Sequence, residues 1–438
     1  MKLVSSYAVE IKHFNKIFIQ TIEIFKDAVT FCIKAFEESW EELKDLKIGN
    51  REQFAYADNL IHTTKSYIAK YPEFDIKFHK IPSFLRHSVI NTALGYLNSY
   101  HSNLERWEED SVGKAPLLQP HQNKLPTFYK NNMYIADLDR NVVKLKLFVN
   151  NDWNWVEVQL KHTDVVNIKK HMQNTKMSAP TLERRNKKWF LRFAFEEQVK
   201  INKTPLKNQR ILAVNLGNNT DATCSVMNVE GAILARKFVN FASDKDHLHH
   251  TVNKIKKIKQ KYGSHNTTKL WRCATFYNND LAIKITKEIV NIAKDYQCDV
   301  IVFEHLNTMQ ASLYARGKSK YRLNFLKKKA IQRMVEHKAH QNGIRISTVC
   351  GYGSASTLAY DGSGKVRKDK AKLCRFTTGK KYNRELSASY NIGARYFIKE
   401  MYKNLPVKVW SDIVAKVPEC QKRTRCTYST LVMINKIA

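Results

Sequence analysis

Long apolar runs are missing from this 438-residue chain: stretches such as Val300 to Phe303 fall far short of the roughly 18 apolar residues that a membrane helix needs. No membrane-spanning protein is expected. Glycine and proline are also scarce, 14 and 9 residues, which argues against a disordered basic tail. Paired cysteines are missing too. The eight cysteines, at 32, 224, 273, 298, 350, 374, 420 and 426, are scattered through a large chain and read as buried free thiols rather than a disulfide framework. Acidic residues are in shortest supply: 40 Asp plus Glu face 74 Lys plus Arg, a formal charge of +34. Small soluble domains usually keep a net charge of magnitude about 2–8, so this excess calls for an anionic partner.

What is present can build cores. Hydrophobic residues make up 43% of the chain and include 21 Phe, 20 Tyr and 7 Trp. The length gives a prior of about two to four domains. The opening segment Met1 to Lys12 alternates apolar and polar residues like a strand and has no signal-peptide apolar block, so a cytoplasmic location is expected.

The positive charge is spread along the chain, with no basic amphipathic terminus of the kind that would dock on a membrane. Its densest clusters are Arg184-Arg185-Asn186-Lys187-Lys188-Trp189, Lys254 to Lys261 (with Lys256 and Lys257), Lys327-Lys328-Lys329 and Lys365 to Lys372 (with Arg367 and Lys368). Arg86, Arg333 and Lys338 add to these on predicted helices. Any one run suits a solvated helix face. The sum points to nucleic acid, because cations neutralise phosphates and neighbouring aromatics stack on unpaired bases.

Hydrophobic periodicity divides the chain. Ile17 to Tyr71 and Phe84 to Trp107 carry apolar residues at helical spacing, while Val142 to Leu147, Trp153 to Val158 and Trp189 to Phe193 read as strands. The expectation is a small β-barrel from residues 1–14 and 120–203, with a helical insert at 15–119. A second unit at 208–402 opens with the apolar strand Ile211 to Val214. It continues with a hairpin around Glu230-Gly231, the buried strand Val300 to Phe303, the strand Ile344 to Val349 and a helix from Glu385 to Tyr402. Hairpin strands followed by strands alternating with helices predict a mixed α/β sheet of ribonuclease H type. Residues 403–438 read as a tail. The fold class expected is therefore α+β and α/β multidomain.

Three polar residues, Asn215, Glu304 and Glu385, fall at strand or helix ends that such a sheet could bring together. Metal-dependent nucleases use such clusters, because hard oxygens hold the divalent cations whose charge stabilises the attacking and leaving oxygens. The local sequences sharpen this. Asn215-Leu216-Gly217 with Asp221-Ala222, then Val302-Phe303-Glu304-His305-Leu306, then Asn383-Arg384-Glu385 through Arg395 resemble, in order, the three RuvC motifs of the transposon-encoded TnpB proteins, relatives of type V CRISPR effectors. Ser178-Ala179-Pro180-Thr181-Leu182, Lys188 to Phe193 and Leu358 to Lys365 extend the resemblance.

The resemblance implies a wedge-like barrel and a recognition insert that hold a guide RNA and read a short motif beside the DNA target, followed by a RuvC domain that cuts. It also implies Asp, Glu and Asp at the catalytic positions. Here Asn215 lacks the charge, and Glu385 is longer by one methylene, about 1.5 Å, where a misplacement near 1 Å can cost about a hundredfold. Asp221 reads as a turn residue, with a metal-helping role as the alternative. The family's paired Cys-x-x-Cys motifs are absent, so no zinc site is expected, and Mg²⁺ at the RuvC positions is unexpected.

Taken together, the departures suggest a bacterial, transposon-derived protein similar to the TnpB-like nuclease-dead repressors. Such a protein is not an enzyme: it is a monomer bound to guide RNA that occupies promoter DNA beside a short flanking motif and associates with the nucleoid when bound. An active RNA-guided endonuclease with altered metal ligands is the alternative.

Overall fold

The computed structural model describes residues 1–12, 16–46, 51–110, 115–118, 125–172, 175–217, 220–263, 266–306, 319–350, 357–369 and 373–437. The chain divides into two compact units, one spanning Lys2–Gln198 and the other Val199–Ala438 together with Met1.

In the first unit β1 (Lys2–Ile11) is followed by α1 (Ile19–Glu38), α2 (Trp40–Lys44), α3 (Arg51–Ile61), α4 (Glu73–Lys77) and α5 (Ser83–Asp110). Then come β2 (Tyr134–Asp137), β3 (Val142–Val149), β4 (Asp152–Gln159), α6 (His162–Met172), β5 (Lys176–Met177), β6 (Thr181–Arg185) and β7 (Lys188–Gln198). α1 buries Ile22, Phe25, Val29, Ile33 and Phe36, and α5 buries Leu85, Val89, Ala93 and Leu97. Those spacings of three and four place each set on one helix face. β1 pairs antiparallel with β7 from Lys2↔Gln198 to Ile11↔Trp189, and β7 turns Trp189, Leu191, Phe193 and Phe195 into the core at strict alternation. The β6–β7 hairpin turns on Asn186 and Lys187, both at positive φ (48° and 68°), as a two-residue loop matched to strand twist requires.

The expected barrel does not close among the described residues. The strands form two sheets, β1-β7-β5 with β6 on β7, and β2-β3-β4. Only isolated bridges, Ile11↔Leu160 and Thr127↔Thr181 among them, extend between strand ends. β4 finds a ladder partner only in β3; at its end the Gln159 carbonyl accepts the Lys12 amide at 2.8 Å and Leu160 bridges Ile11, a contact that does not extend into a ladder among the described residues.

The second unit contains β8 (Arg210–Asn215), β9 (Ala222–Asn228), β10 (Ile233–Val239), α7 (Ala242–Tyr262), α8 (Thr268–Asp295), β11 (Val300–Glu304), α9 (Ser319–Gln341) and β12 (Arg345–Val349). Beyond these lie β13 (Arg367–Lys368), β14 (Leu373–Arg375), β15 (Lys381–Asn383), α10 (Arg384–Asn404), α11 (Val407–Lys416) and α12 (Tyr428–Ile437). The five-stranded sheet has the order β10-β9-β8-β11-β12, antiparallel in its hairpin half and parallel between β8, β11 and β12. This is the mixed sheet expected from the sequence.

β8 and β11 are apolar on both faces because both faces are covered. Ile211, Ala213, Val300 and Val302 pack with Leu386, Tyr390 and Phe397 of α10. Leu212, Val214, Ile301 and Phe303 pack with Leu281, Ile285, Ile331 and Val335 of α8 and α9. Residues 403–438 hold two helices whose Trp410, Ile413, Leu431 and Ile434 join the core around α10. No helix among the described residues is long and apolar enough to cross a membrane.

Candidate functional site

The parallel pairing of β8 and β11 runs to Phe303↔Val214, so Asn215 and Glu304 end neighbouring strands at the same edge of the sheet. Carboxyl ends of parallel strands are where open α/β sheets place their sites. Glu385 reaches that edge from α10. The Asn383 side chain caps this helix by accepting hydrogen bonds from the Glu385 and Leu386 amides at 3.0 and 3.1 Å. The cap fixes Glu385 in the first turn, where the positive end of the helix dipole favours a carboxylate. Asn215 Nδ2 donates to the Glu385 carbonyl at 3.4 Å, joining strand end to helix start.

Gly217 completes the cradle. A Cβ there would stand 2.6 Å from Glu385 Oε1 and would collide with the Thr220 carbonyl oxygen. Glu385 is 4% exposed, and its Oε2 has no hydrogen-bond partner. A buried carboxylate oxygen without a donor is costly unless positive charge lies near.

That charge comes from the protein itself. Gln332 of α9 donates its Nε2 to the Glu304 carbonyl at 2.9 Å, which docks this helix against the end of β11. Lys328 lies one turn earlier on the same face. Burial pulls the Lys328 ammonium below its ordinary pKa, while the Glu304 and Glu385 carboxylates pull it back up. Arg395 of α10, 4% exposed, donates to the carbonyls of Cys426 (3.0 Å) and Cys350 (3.1 Å). Burial lowers its pKa as well, and Glu304 again acts in the opposite direction.

Asp221 is a buried ion-pair hub and not an ordinary surface turn residue. It is 1% exposed, lies 3.2 Å from Lys327 Nζ and 3.4 Å from Lys245 Nζ, and accepts the Phe241 amide at 2.9 Å. Two ammonium groups already claim its carboxylate, which leaves it poorly placed to help a metal. The remaining oxygen donors, the Asn215 amide carbonyl, Glu304 and the orphan Oε2 of Glu385, fit a hard divalent cation.

The cysteines are dispersed: Cys350 is exposed, Cys374 is buried in β14 with its thiol on the Tyr382 carbonyl, and Cys420 and Cys426 are buried beside each other near α11. Among the described residues no group of three or more His, Cys, Asp or Glu side chains is arranged to hold a metal.

Two residues read as nucleic-acid contacts are placed otherwise. Lys327 is 3% exposed and spent on Asp221, and Arg86 is 9% exposed with Nε 2.8 Å from Asp58. Both charges are consumed inside the fold. Lys328 is the third exception, half-buried on the face of α9 that Gln332 docks against the end of β11.

Other basic residues face solvent: Lys187, Lys256, Lys257, Lys329, Arg333 and Arg367 are exposed and Lys338 is half-buried. Lys188 and Arg185 are exposed but ion-paired, to Glu10 and Glu183, and Arg184 lies 5.1 Å over the Trp189 ring. Lys368 belongs to β13, with its side chain outside the described set. Sequence reading missed Lys245, Gln332 and Arg395, whose roles depend on partners far along the chain. It also missed the exposed aromatics Tyr262, whose ring lies under Lys261 of α7, and Phe276 on α8.

Residues 5–149 match the Aq_aa04 family model. No curated protein matches by sequence. Among solved structures, the mini-RNA-guided endonuclease CRISPR-Cas_phi3 is 8% identical over 88% of this chain and 91% of that chain, with a TM-score of 0.51. A Cas12f1–sgRNA–target DNA complex is 14% identical over 89% and 98% of the two chains, with a TM-score of 0.33. Alicyclobacillus acidoterrestris C2c1 in complex with single-guide RNA is 9% identical over 87% and 68%, with a TM-score of 0.42. The chain thus shares its fold with an RNA-guided endonuclease, and this corrects the expectation of a protein that is not an enzyme.

Proposed function

We propose that the protein is an RNA-guided DNA-targeting protein with a weakened, RuvC-type cleavage centre. One observation carries the reading: Asn215, Glu304 and Glu385 converge on one sheet edge in a chain that matches an RNA-guided endonuclease over 88% of its length. The +34 charge supplies the electrostatic partner for RNA and DNA. Guide pairing selects the sequence, and the protein recognises helix shape and a short flanking motif. The partners proposed are a guide RNA and duplex target DNA, on one copy of the chain in the cytoplasm. No zinc site is proposed.

A divalent cation, when bound, supplies charge to the attacking and leaving oxygens of the phosphodiester. Asn215, Glu304 and Glu385 are the residues that would hold it. Asn215 contributes a dipole where a carboxylate would contribute a charge, and Lys328 offsets part of what remains. Weak cation binding and slow cutting follow.

The same two features favour a second output. Long occupancy of promoter DNA blocks transcription sterically, as a repressor does, and slow cutting does not prevent it. The test is to incubate the protein with its copurified RNA, matched duplex DNA and Mg²⁺. Slow, guide-dependent cleavage is expected. DNA retention that is indifferent to the guide, with no cleavage, would overturn the reading.

A further inference from the structure

The sheet β2-β3-β4 covers the core with one face and leaves the other open. Val143, Leu145 and Leu147 of β3 and Val158 of β4 are fully buried. Side chains alternate across a strand, so the residues between these point outward. The antiparallel register sets Phe148 opposite Trp153, Lys146 opposite Trp155, and Lys144 between Ile135 and Glu157. Directly opposed side chains start about 5 Å apart, which makes these residues one continuous surface.

That surface is not an ordinary solvated one. Trp155 is 42% exposed and Ile135 46%. Phe148 and Trp153 are half-buried and meet edge to face, with ring centroids 5.4 Å apart and planes at 66°. Lys144 is exposed and Lys146 half-buried. Among the described residues the side chains of Trp155, Lys144 and Lys146 have no hydrogen-bond, ion-pair or ring partner. Exposed hydrophobics scattered singly need no explanation, but aromatic rings on adjoining positions of one sheet face, with lysines alternating between them, do.

We propose that this face, centred on Trp155, is a stacking platform for the unpaired bases of a single-stranded nucleic acid. Every base has a π-face, so an indole ring takes bases with little regard to sequence. Successive outward residues of a strand stand about 7 Å apart, twice the roughly 3.4 Å that a stacked nucleotide occupies. Trp153 and Trp155 therefore have room for a base each. Lys144 and Lys146 meet the phosphates, while Glu157, opposite Lys144, offsets part of that attraction, so the rings carry most of the affinity. A polyanion suits two unpaired lysines set among rings in a chain of charge +34 better than a protein partner does. Duplexes are excluded, because paired bases keep their faces inside the stack. The platform lies in the first unit and rests on the reading of the chain as a nucleic-acid binder, not on the cleavage centre.

The test uses full-length protein freed of copurified RNA. The probes are oligo(rA), oligo(dA), an oligo(rA)·oligo(rU) duplex and an abasic strand of the same length. Affinity is read by fluorescence anisotropy, and stacking by the fall in tryptophan emission on binding. Parent, Trp155→Thr and Trp155→Phe are compared. Trp155→Thr is expected to weaken single-strand binding at least about tenfold and to leave duplex and abasic binding unchanged. Trp155→Phe, which keeps a ring, should retain most of the affinity but lose part of the emission change. A preference for oligo(rA) names RNA as the source of the bases and a preference for oligo(dA) names DNA; both support the platform.

Equal single-strand affinity of parent and Trp155→Thr overturns the proposal, as does an equal loss on the abasic strand or a Trp155→Phe protein that binds as poorly as Trp155→Thr. If Trp155→Thr fails to fold by circular dichroism, parent emission decides: no fall on binding oligo(rA) or oligo(dA) overturns the platform, and a fall that shrinks in Trp155→Phe supports it. Guide-dependent retention of matched duplex DNA is scored separately on the parent, so its failure would remove the functional reading and leave the platform standing.

Discussion

Replacing Lys327 with methionine removes an ammonium that is only 4% exposed in its side chain and 3.2 Å from Asp221, itself fully buried. Breaking a buried pair from one side costs about 3–5 kcal/mol, because the abandoned charge stays buried. Lys245 remains 3.4 Å from the same carboxylate and the Phe241 amide still donates to it, so the low end, about 3 kcal/mol, applies. With a urea m-value near 3 kcal/mol/M for a unit of this size, the unfolding midpoint should fall by about 1 M. In an Asp221→Asn background the Lys327 ammonium is itself the unpaired buried charge, so the same replacement should be neutral or stabilising. Urea unfolding of the four proteins of this cycle, followed by circular dichroism, measures both. A midpoint shift below about 0.2 M, or equal shifts in the two backgrounds, would refute the reasoning and return Lys327 to the solvated face that its sequence suggests.

Gly217→Ala should lower stability by about 1–3 kcal/mol in the same assay, since the new methyl meets the Thr220 carbonyl and Glu385 Oε1. Thiol labelling of the native protein at pH 8 should modify Cys273 and Cys350 quickly and leave the six buried cysteines protected; fast modification of Cys224 would contradict its burial. Burial pushes Cys224 and Cys298 up to about 12, so the folded chain keeps these protons where the unfolded chain loses them. Their contribution to stability is complete below pH about 9 and should be lost as pH rises from about 9 to about 12, which unfolding midpoints across that range would show. Lys256 and Lys257, exposed on α7, should together reduce the log–log salt slope of RNA binding by about 2 when changed to alanine. An unchanged slope would make them solvated side chains only.

Local pattern made much of the second unit legible. The runs Ile211 to Val214 and Val300 to Phe303 are apolar because helices cover both faces of their strands, and Asn215 and Glu304 stand where those runs end. The strands β13, β14 and β15, two or three residues each, carry too few residues for any period to show.

The barrel expectation went astray for a different reason. Alternation identifies a strand and its buried face, but whether β4 finds a second partner is a property of the whole sheet. Charge was the least legible feature. Lys327 pairs with a residue 106 positions away, and Arg86 meets Asp58 across two helices. Only the folded chain distinguishes these from the exposed lysines around them.

The most direct measurement is to purify the protein from cells, sequence the RNA that copurifies, and compare its binding to duplex DNA that matches that RNA with binding to a scrambled duplex. The account predicts a discrete RNA species and retention of matched DNA at least about a hundredfold tighter than scrambled DNA, lost when the RNA is removed. Heterogeneous RNA with equal retention of both duplexes would contradict it.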